Sequence, residues 1–356
     1  MRLKLRKYFV IGCVALAFNT SKNVYAQDVH FSQAYYSPLN LNPALVGIDN
    51  SITAVANFRT QWKAVATPYT TIGFSVDGRL NENKRDKKGI FAMGLNFYND
   101  QSGDVKISTT TASVNFGYHL IINKKNTIGA AIYAGFGNRF INTGAGRWGS
   151  QFNGLNYDPS LPSNEYFMTD RFSYMDVGAG MVYRYRSSES YMSKNDGKQF
   201  TAGFAVYHLN KPNFSFINTN DDKLYMRFSA FAHAMIGFDN SNVSLMPAIY
   251  FQKQGPSNEI LFGTYGRYAF QNLSSITGFN KGILLSLGLF YRTMDAMVVK
   301  AMFEWNDFTL GLSYDVNMST LTPASNARGG MELFLKYGLT KGYAGRASKV
   351  GKRSKI

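Results

Sequence analysis

Cysteine is almost absent from this chain, since Cys13 is the only one among 356 residues. A disulfide scaffold and a cysteine-ligated metal site are therefore excluded. Proline is scarce too, with nine residues. No run of 18 apolar residues follows position 26, so the sequence predicts no transmembrane helix. An exported chain with so little cysteine fits a bacterial envelope protein better than a disulfide-rich secreted protein.

Motifs for common catalytic chemistry are also missing. No histidine has a second histidine or a carboxylate at metal-ligand spacing, and the four are His30, His119, His208 and His233. A GxSxG nucleophile motif and a phosphate-binding P-loop are absent. Residues 144–149 (GAGRWG) match GxGxxG, but they lie in the longest predicted loop without a strand-to-helix context, which favours a flexible loop.

Lys300 and Glu304 are the one pair that could suggest catalysis, because they lie on the same face of a predicted strand. A polar network of lumen-facing charges is the interpretation that we favour for them. The sequence therefore predicts no enzyme, no cofactor and no metal site.

Residues 1–26 are predicted to be a secretory signal sequence. Basic residues precede an apolar run from Tyr8 to Phe18, which is too short to span a membrane, and residues 24–26 (VYA) fit a cleavage site. Cleavage there would make Gln27 the first residue and remove Cys13. A lipoprotein box at residues 10–13 (VIGC) is the rival interpretation, but it leaves too little of the apolar run upstream.

Aromatic residues and glycine are abundant, with 28 phenylalanines, 23 tyrosines and 33 glycines, and the net charge is +16. This composition is typical of a transmembrane β-barrel, whose strands show one face to lipid and one to a polar lumen. The predicted export argues against nucleic acid as the partner of the positive charge. Anionic lipid headgroups, lipopolysaccharide phosphates or acidic proteins are more suitable counterparts.

Fourteen strands of about ten residues are predicted between Ser51 and Leu339, because apolar and polar residues alternate there with period two. In residues 308–317 the alternation is strict, with Leu312 on the apolar face and Asp315 on the polar one. Rings at the ends of apolar faces, at Trp305, Phe308 and Tyr337, resemble membrane-interface girdles. The predicted fold is an all-β transmembrane antiparallel barrel over residues 51–340, preceded by an irregular segment at residues 27–50.

An even strand number places both ends of the barrel on one side, which is predicted to be periplasmic. The short connections at residues 123–126 and 306–307 fit periplasmic turns, and the long one at residues 143–173 fits an outer loop. Residues 79–89 and 187–198 are long for periplasmic turns. Residues 341–356 contain six basic residues and no acid; they are either a solvated periplasmic tail or a hook for acidic headgroups or a partner protein.

Three landmarks carry a resemblance to a known family. The first is the stretch from Gln27 to Gly47 (QDVHFSQAYYSPLNLNPALVG), the second is residues 58–62 (FRTQW), and the third is residues 311–317 (GLSYDVN) with Leu321 and residues 330–333 (GMEL). The chain closely resembles the PorP/SprF family, outer-membrane proteins of the type IX secretion system. Val29 departs from the family pattern, which usually has proline there.

The resemblance implies an outer-membrane barrel of a Bacteroidota-type bacterium with a role in type IX export. Implied partners are outer-membrane lipid, a secreted client protein such as an adhesin or gliding protein, and periplasmic secretion-ring subunits, but not nucleic acid. A general diffusion porin or small-solute transporter is the alternative, and an outer-membrane enzyme is a weaker third. The candidate partner-binding residues are Phe31, Ser32, Gln33, Tyr35, Tyr36, Pro38, Asn42, Pro43, Gly47, Arg59, Gln61 and Trp62.

For the first landmark we hypothesise a fixed irregular path at the periplasmic mouth or inside the lumen, held by prolines and Asx turns. Phe31, Tyr35, Tyr36 and Leu41 would pack it against the barrel wall and close the pore. Buttressing of the first strand alone is the other possibility. Trp62 would lie at the outer end of that strand, either as an interface anchor or as a contact to the exported protein.

Overall fold

The computed structural model describes residues 28–81, 88–187, 197–217, 222–238, 241–270, 282–320 and 322–339. Fourteen antiparallel strands form one closed barrel in these residues, and each strand pairs with its neighbours in the chain. The predicted fold class and strand number are confirmed. The predicted signal sequence at residues 1–26, Gln27 and the basic tail at residues 341–356 lie outside the described residues.

The first seven strands are β1 (Ile52–Gln61), β2 (Tyr69–Arg79), β3 (Gly89–Ser102), β4 (Ile107–Ile121), β5 (Asn126–Phe140), β6 (Arg171–Arg186) and β7 (Lys198–Tyr207). The last seven are β8 (Arg227–Gly237), β9 (Val243–Gln254), β10 (Ser257–Ala269), β11 (Ile283–Arg292), β12 (Ala296–Trp305), β13 (Phe308–Asn317) and β14 (Arg328–Leu339). The barrel closes where β1 pairs with β14, from Ile52 opposite Leu339 to Gln61 opposite Gly330. Closure leaves no unpaired edge strand.

Alternation along each strand separates a lumen face from a membrane face. In β1, Thr53, Val55 and Asn57 point inward and are buried, whereas Ile52 and Phe58 point outward and are exposed. The same pattern holds in β13, where the outward residues are apolar. A polar lumen and an apolar outer surface are what the bilayer requires of a spanning barrel.

The two ends of the barrel differ in their connections. Both chain ends of the barrel, Ile52 and Leu339, lie at one end, which we name the chain-terminal end. The connections after odd-numbered strands lie at the other end, which we name the long-loop end because the connection at residues 141–170 is there. At the chain-terminal end, the Phe308 ring lies 5.1 Å from the Tyr337 ring, and Trp305 is exposed beside them.

Short helical turns complete the description. Two single 3-10 turns, Thr143–Ala145 and Gly149–Gln151, lie in the loop at residues 141–170, and one turn of helix, Thr322–Ser325, lies between β13 and β14. Among the described residues, no helix is long and apolar enough to cross a membrane.

Substitution of the outward residue Leu312 tests which face meets lipid. Leu312→Arg near the middle of β13 should lower the free energy of unfolding by about 2–4 kcal/mol in lipid vesicles, because it places a charge in the hydrocarbon. Phe308→Arg, on the same face at the strand end, is the matched control and should cost about 0–1 kcal/mol. Denaturant titration measures both, and equal losses would contradict the assigned depth.

A candidate functional site inside the barrel

A segment from Asp28 to Asn50, which we name the lumen segment, runs inside the barrel between its two ends. At the long-loop end the backbone N–H of Asp28 donates to Gln254 Oε1 at 2.8 Å. At the chain-terminal end Asp49 pairs with Arg184 and with Lys336, the latter at 3.6 Å. The lumen segment therefore crosses the length of the lumen before the chain turns into β1.

Three single helical turns shape the lumen segment: Ala34–Tyr36 and Pro43–Leu45 in 3-10 form and α1 (Pro38–Leu41). Each proline occupies the first position of its turn, where no backbone donor is needed. Asn42 precedes Pro43 in an extended conformation, and its Oδ1 accepts from the Ala44 N–H at 2.8 Å. The sequence predicted an irregular path here because one-turn helices are too short to show a period.

Gly47 ends the compact part of the lumen segment with a φ of +63°, a conformation that favours glycine. Its N–H donates to Asp77 at 2.7 Å, and its carbonyl accepts from Arg79 Nε at 2.7 Å. A Cβ at this position would also lie 2.6 Å from that of Ala92. Gly47 therefore combines a positive φ, two backbone hydrogen bonds to β2 and a close approach to β3. Only glycine satisfies all three requirements.

Glycines of the barrel wall make room for the lumen segment. A Cβ at Gly180 would lie 2.2 Å from Asn42 Oδ1, and a Cβ at Gly203 would lie 2.7 Å from Asn42 Nδ2. Similarly, a Cβ at Gly117 would lie 2.6 Å from Val46. Because a Cβ does not come this close to a non-bonded heavy atom, glycine is needed at these positions of β4, β6 and β7. The wall is therefore shaped to the lumen segment.

Aromatic rings of the lumen segment stack on rings of the wall. Tyr36 stacks on Phe334 of β14 with ring centroids 4.1 Å apart, and Tyr35 stacks on His233 of β8 at 4.6 Å. Phe31 is buried beside β2, and Leu41 belongs to the same buried apolar cluster as Phe334. The lumen segment thus contacts strands on opposite sides of the barrel.

Side chains of the wall bind backbone carbonyls of the lumen segment that are not paired within its own helical turns. Eight of its carbonyl oxygens contact wall side chains at hydrogen-bond distance: those of His30, Ser32, Tyr36, Leu39, Asn40, Val46, Gly47 and Ile48. Buried backbone polar groups need such partners, because leaving one unpaired costs free energy. The wall supplies them from long polar side chains, chiefly arginines.

A buried carboxylate lies at the centre of this arrangement. Glu332 of β14 is 1% exposed and accepts from the N–H groups of Ser32 at 2.7 Å and Gln33 at 3.0 Å. Arg59 of β1 reaches Glu332 at 3.5 Å and Asp315 at 3.3 Å, and donates to the His30 carbonyl at 2.7 Å. A single ionic cluster therefore holds the backbone of residues 30–33.

Two more cations complete this cluster. Arg292 of β11 pairs with Asp315 at 2.9 Å and donates to the Ser32 hydroxyl at 2.5 Å. Lys300 of β12 donates to the Ser32 carbonyl at 2.6 Å, and its Nζ lies 3.6 Å from the centre of the Phe290 ring. Glu304, by contrast, pairs with Arg267 at 3.0 Å. Lys300 and Glu304 both face the lumen but belong to different networks.

The three landmarks of the sequence meet at this cluster. Ser32 and Gln33 come from the first landmark, Arg59 from the second, and Asp315 and Glu332 from the third. Asp315 lies where the pairing of β13 with β14 shifts register, a kind of irregularity that re-aims a side chain. Stretches as much as 300 residues apart along the chain thus build one site.

Asp28 is held at the long-loop end by a second ionic cluster. Its carboxylate lies 2.5 Å from His208 Nε2 and 3.5 Å from Arg227 Nε, and His208 Nδ1 lies 2.9 Å from Asp176. Burial lowers the pKa of His208, but the Asp28 and Asp176 carboxylates outweigh it and raise the pKa to about 9. Burial raises the pKa of Asp28, yet His208 and Arg227 hold it well below its usual range.

Little space remains beside Asp28. A cavity of about 20 Å³ lies there, lined by Asp28, His30, Arg227, Gln252, Gln254, Ser257 and Glu259. Such a cavity has room for roughly one water molecule. In the described part of the chain, no group of three or more His, Cys, Asp or Glu residues is placed to hold a metal ion.

The candidate residues of the sequence divide into two groups. Seven of them are buried in the lumen: Phe31, Ser32, Gln33, Asn42, Pro43, Gly47 and Arg59. Three more are half-buried there: Tyr35, Tyr36 and Pro38. Gln61 ends β1 opposite Gly330, and its side-chain amide oxygen accepts from Arg59 Nε at 3.2 Å. Trp62 packs on Tyr69 at 4.8 Å between ring centroids, outside the ionic cluster. Sequence reasoning did not single out Arg292, His208, Asp28 or the wall glycines, although polar residues and glycines on predicted lumen faces were a signal.

The family model described as Type IX secretion system membrane protein PorP/SprF matches residues 23–337. No curated protein matches the chain. Similar solved structures include the KdgM porin in complex with disordered oligogalacturonate (7% identity, 80% of this chain and 99% of that chain, TM-score 0.34). A Pseudomonas aeruginosa FadL homologue has 9% identity over 83% of this chain and 92% of its own, with TM-score 0.42. At such TM-scores these structures support no conclusion about function.

Loss of the Glu332 charge should destabilise the whole site. Glu332→Gln removes a buried carboxylate that pairs with Arg59 and leaves Asp315 to balance the cations of the cluster, so the free energy of unfolding should fall by about 3–5 kcal/mol. Denaturant titration of the barrel in detergent measures it. Asp170→Asn removes one partner of an exposed ion pair with Arg171 and should cost at most about 1 kcal/mol. A similar small loss for Glu332→Gln would contradict the role of the cluster.

The raised pKa of His208 predicts a pH dependence of stability. Because protonated His208 is favoured in the folded state, its contribution is complete below about pH 6.5 and is lost as the pH rises through 9. The free energy of unfolding of the natural chain should exceed that of His208→Gln by up to about 3 kcal/mol at pH 6. This difference should shrink above pH 9, and a difference independent of pH would contradict the ion pair.

Proposed function

The chain belongs to the PorP/SprF family of type IX secretion system membrane proteins, and from that premise we propose that it binds a secreted partner protein and helps it reach the cell surface. It is an outer-membrane β-barrel. In our proposal it acts without covalent chemistry, as a docking component for an adhesin or gliding protein. Periplasmic secretion-ring subunits are the second class of partner.

The observation that carries this proposal is the filled lumen. A diffusion porin needs a continuous aqueous passage, whereas here a segment of the chain crosses the lumen and packs against strands on opposite sides. The ionic cluster that holds this segment is buried, so the segment is a fixed part of the barrel. A barrel closed in this way is suited to bind a protein at its ends, which favours the docking role over a porin or small-solute transporter.

The residues of the ionic cluster support a non-enzymatic role. Glu332 accepts from two backbone N–H groups, Asp315 accepts from Ser32 and pairs with two arginines, and Lys300 donates to a carbonyl. Each titratable group is thus engaged in holding the lumen segment. We propose the same structural role for the candidate residues Phe31, Ser32, Gln33, Asn42 and Arg59.

The orientation that we propose places the chain-terminal end in the periplasm and the long-loop end outside, in a Bacteroidota-type bacterium, after cleavage of the signal sequence. The connections support it, since both ends of the barrel lie at the chain-terminal end and the longest connection lies at the other end. Exposed basic residues occur at the chain-terminal end: Lys88, Lys124, Lys125, Arg186 and Lys198. They follow one another around the rim from β3 to β7 and face either anionic headgroups or acidic parts of a periplasmic protein. The basic tail would add to this charge.

Affinity purification of the tagged barrel from its own outer membrane tests the docking role. Mass spectrometry of the co-purifying proteins should find a large secreted protein or secretion-ring subunits in amounts comparable to the barrel. A tagged, unrelated outer-membrane barrel from the same cells is the control. Recovery of the barrel alone would overturn the proposal.

Conductance in planar bilayers tests whether the lumen is closed. The natural chain should give no steady conductance, whereas Gly180→Leu should open one, because its side chain would displace Asn42 and Pro43. Gly266→Leu is the matched control, since a Cβ there meets nothing within 4 Å. Steady conductance of the natural chain would favour the porin.

A further inference from the structure

The loop at residues 141–170 is folded and hydrogen-bonded within itself. Gln151 Nε2 donates to the Leu161 carbonyl at 3.0 Å, and the Asp158 N–H donates to the Gln151 carbonyl at 2.8 Å. Phe152 and Tyr157 form an isolated antiparallel bridge between these contacts. A long loop with its own internal contacts is often functional.

Residues of this loop line an open cavity of about 440 Å³, within the size range of ligand pockets. Three aromatic rings line it, those of Trp148, Tyr157 and Phe167, together with the carboxylate of Glu165. The other lining residues are small or uncharged: Thr143, Gly144, Gly146, Gln151, Pro159 and Ser163. Negative charge and aromatic faces thus occur together, and no cation lines the cavity.

Among the described residues, the carboxylate of Glu165 has no ion-pair or hydrogen-bond partner, unlike the carboxylates of the other two acids of the loop. Asp158 accepts from the N–H and hydroxyl of Ser160 at 2.9 and 2.6 Å, and Asp170 pairs with Arg171 at 3.5 Å. No ion pair to the exposed Glu165 carboxylate occurs within the described parts of the chain. The carboxylate is therefore available to a cation from outside.

The rings beside Glu165 are of the kind that attract cations. The faces of tryptophan, tyrosine and phenylalanine rings carry negative potential, and arginine is the side chain most often found over them. This loop already uses the interaction, because the Arg147 guanidinium lies 5.4 Å from the centre of the Tyr157 ring. A second cation would find Trp148, Phe167 and Glu165 within the cavity.

Exposed apolar side chains occur in the same loop. Leu155 is 85% exposed, Tyr166 is 73% exposed and Met168 is 61% exposed. All three lie beyond the ends of β5 and β6, and so outside the lipid-facing strands, and Tyr166 and Met168 flank the lining residue Phe167 in the chain. Exposed apolar residues next to a pocket are typical of a surface that binds a protein.

We propose that this cavity binds an arginine or lysine side chain of a partner polypeptide at the long-loop end. Trp148 and Phe167 hold the cationic group by their rings, and Glu165 is its counter-ion. Leu155, Tyr166 and Met168 contact the apolar residues that flank the basic side chain. The assignment of a polypeptide as the ligand rests on the proposed docking function.

A peptide titration tests the cation site directly. The probes are a blocked Gly-Arg-Gly tripeptide and its Gly-Gln-Gly analogue at equal ionic strength, added to the full barrel in detergent. Trp62→Phe and Trp305→Phe leave Trp148 as the fluorescent reporter. The arginine peptide should change the fluorescence saturably and bind at least about threefold more tightly than the glutamine peptide. Equal binding of the two peptides would overturn the proposal.

Two variants separate the counter-ion from general loop effects. Glu165→Gln should weaken binding of the arginine peptide by about threefold to tenfold. Asp170→Asn, the matched control at a carboxylate that does not line the cavity, should leave the affinity unchanged. Unchanged affinity in Glu165→Gln would overturn the role of Glu165.

Co-purification with the same variants distinguishes this inference from the proposed function. Reduced recovery of the partner with Glu165→Gln, but not with Asp170→Asn, would support docking at the cavity. If the natural chain and Glu165→Gln recover the same partner equally, the cavity is not its docking point and the docking function stands. If the natural chain recovers no partner, the docking function fails, and the peptide titration alone decides whether the cavity binds a cation.

Discussion

The structure depends on one buried ionic cluster, in which Glu332 accepts from two backbone N–H groups while Arg59 and Lys300 donate to neighbouring carbonyls. The short helical turns of the lumen segment pair only part of its backbone, and no bulk water replaces the missing partners. The wall must therefore supply both donors and acceptors. Burying charges is costly unless they are paired, and in this cluster the two carboxylates pair with Arg59 and Arg292.

The fit between segment and wall has two complementary parts. Long polar side chains of the wall reach inward to the carbonyls of the lumen segment, and glycines leave space where the segment comes close, as at Gly180 and Gly203. Aromatic stacking of Tyr35 and Tyr36 fills the space between these regions. Together these contacts join strands on opposite sides of the barrel, so the lumen segment acts as an internal brace as well as a closure.

The strands could be predicted from the sequence because alternation is a local property, and the bounds of β13 agree with the prediction to the residue. The ionic cluster could not, because its members come together only when β1 meets β14. Asp315 and Glu332 stood in the third landmark without an assigned role. Arg292 and His208 gave no local signal, since their partners depend on which residues face each other across a closed lumen.

The path of the lumen segment has a consequence for assembly. Asp28 lies at the end of the barrel opposite to Ile52, so the lumen segment reaches from one end of the barrel to the other. A barrel that had already closed would have to be threaded along its whole length. The wall more simply forms around a segment already in place, so that wall and segment are assembled together.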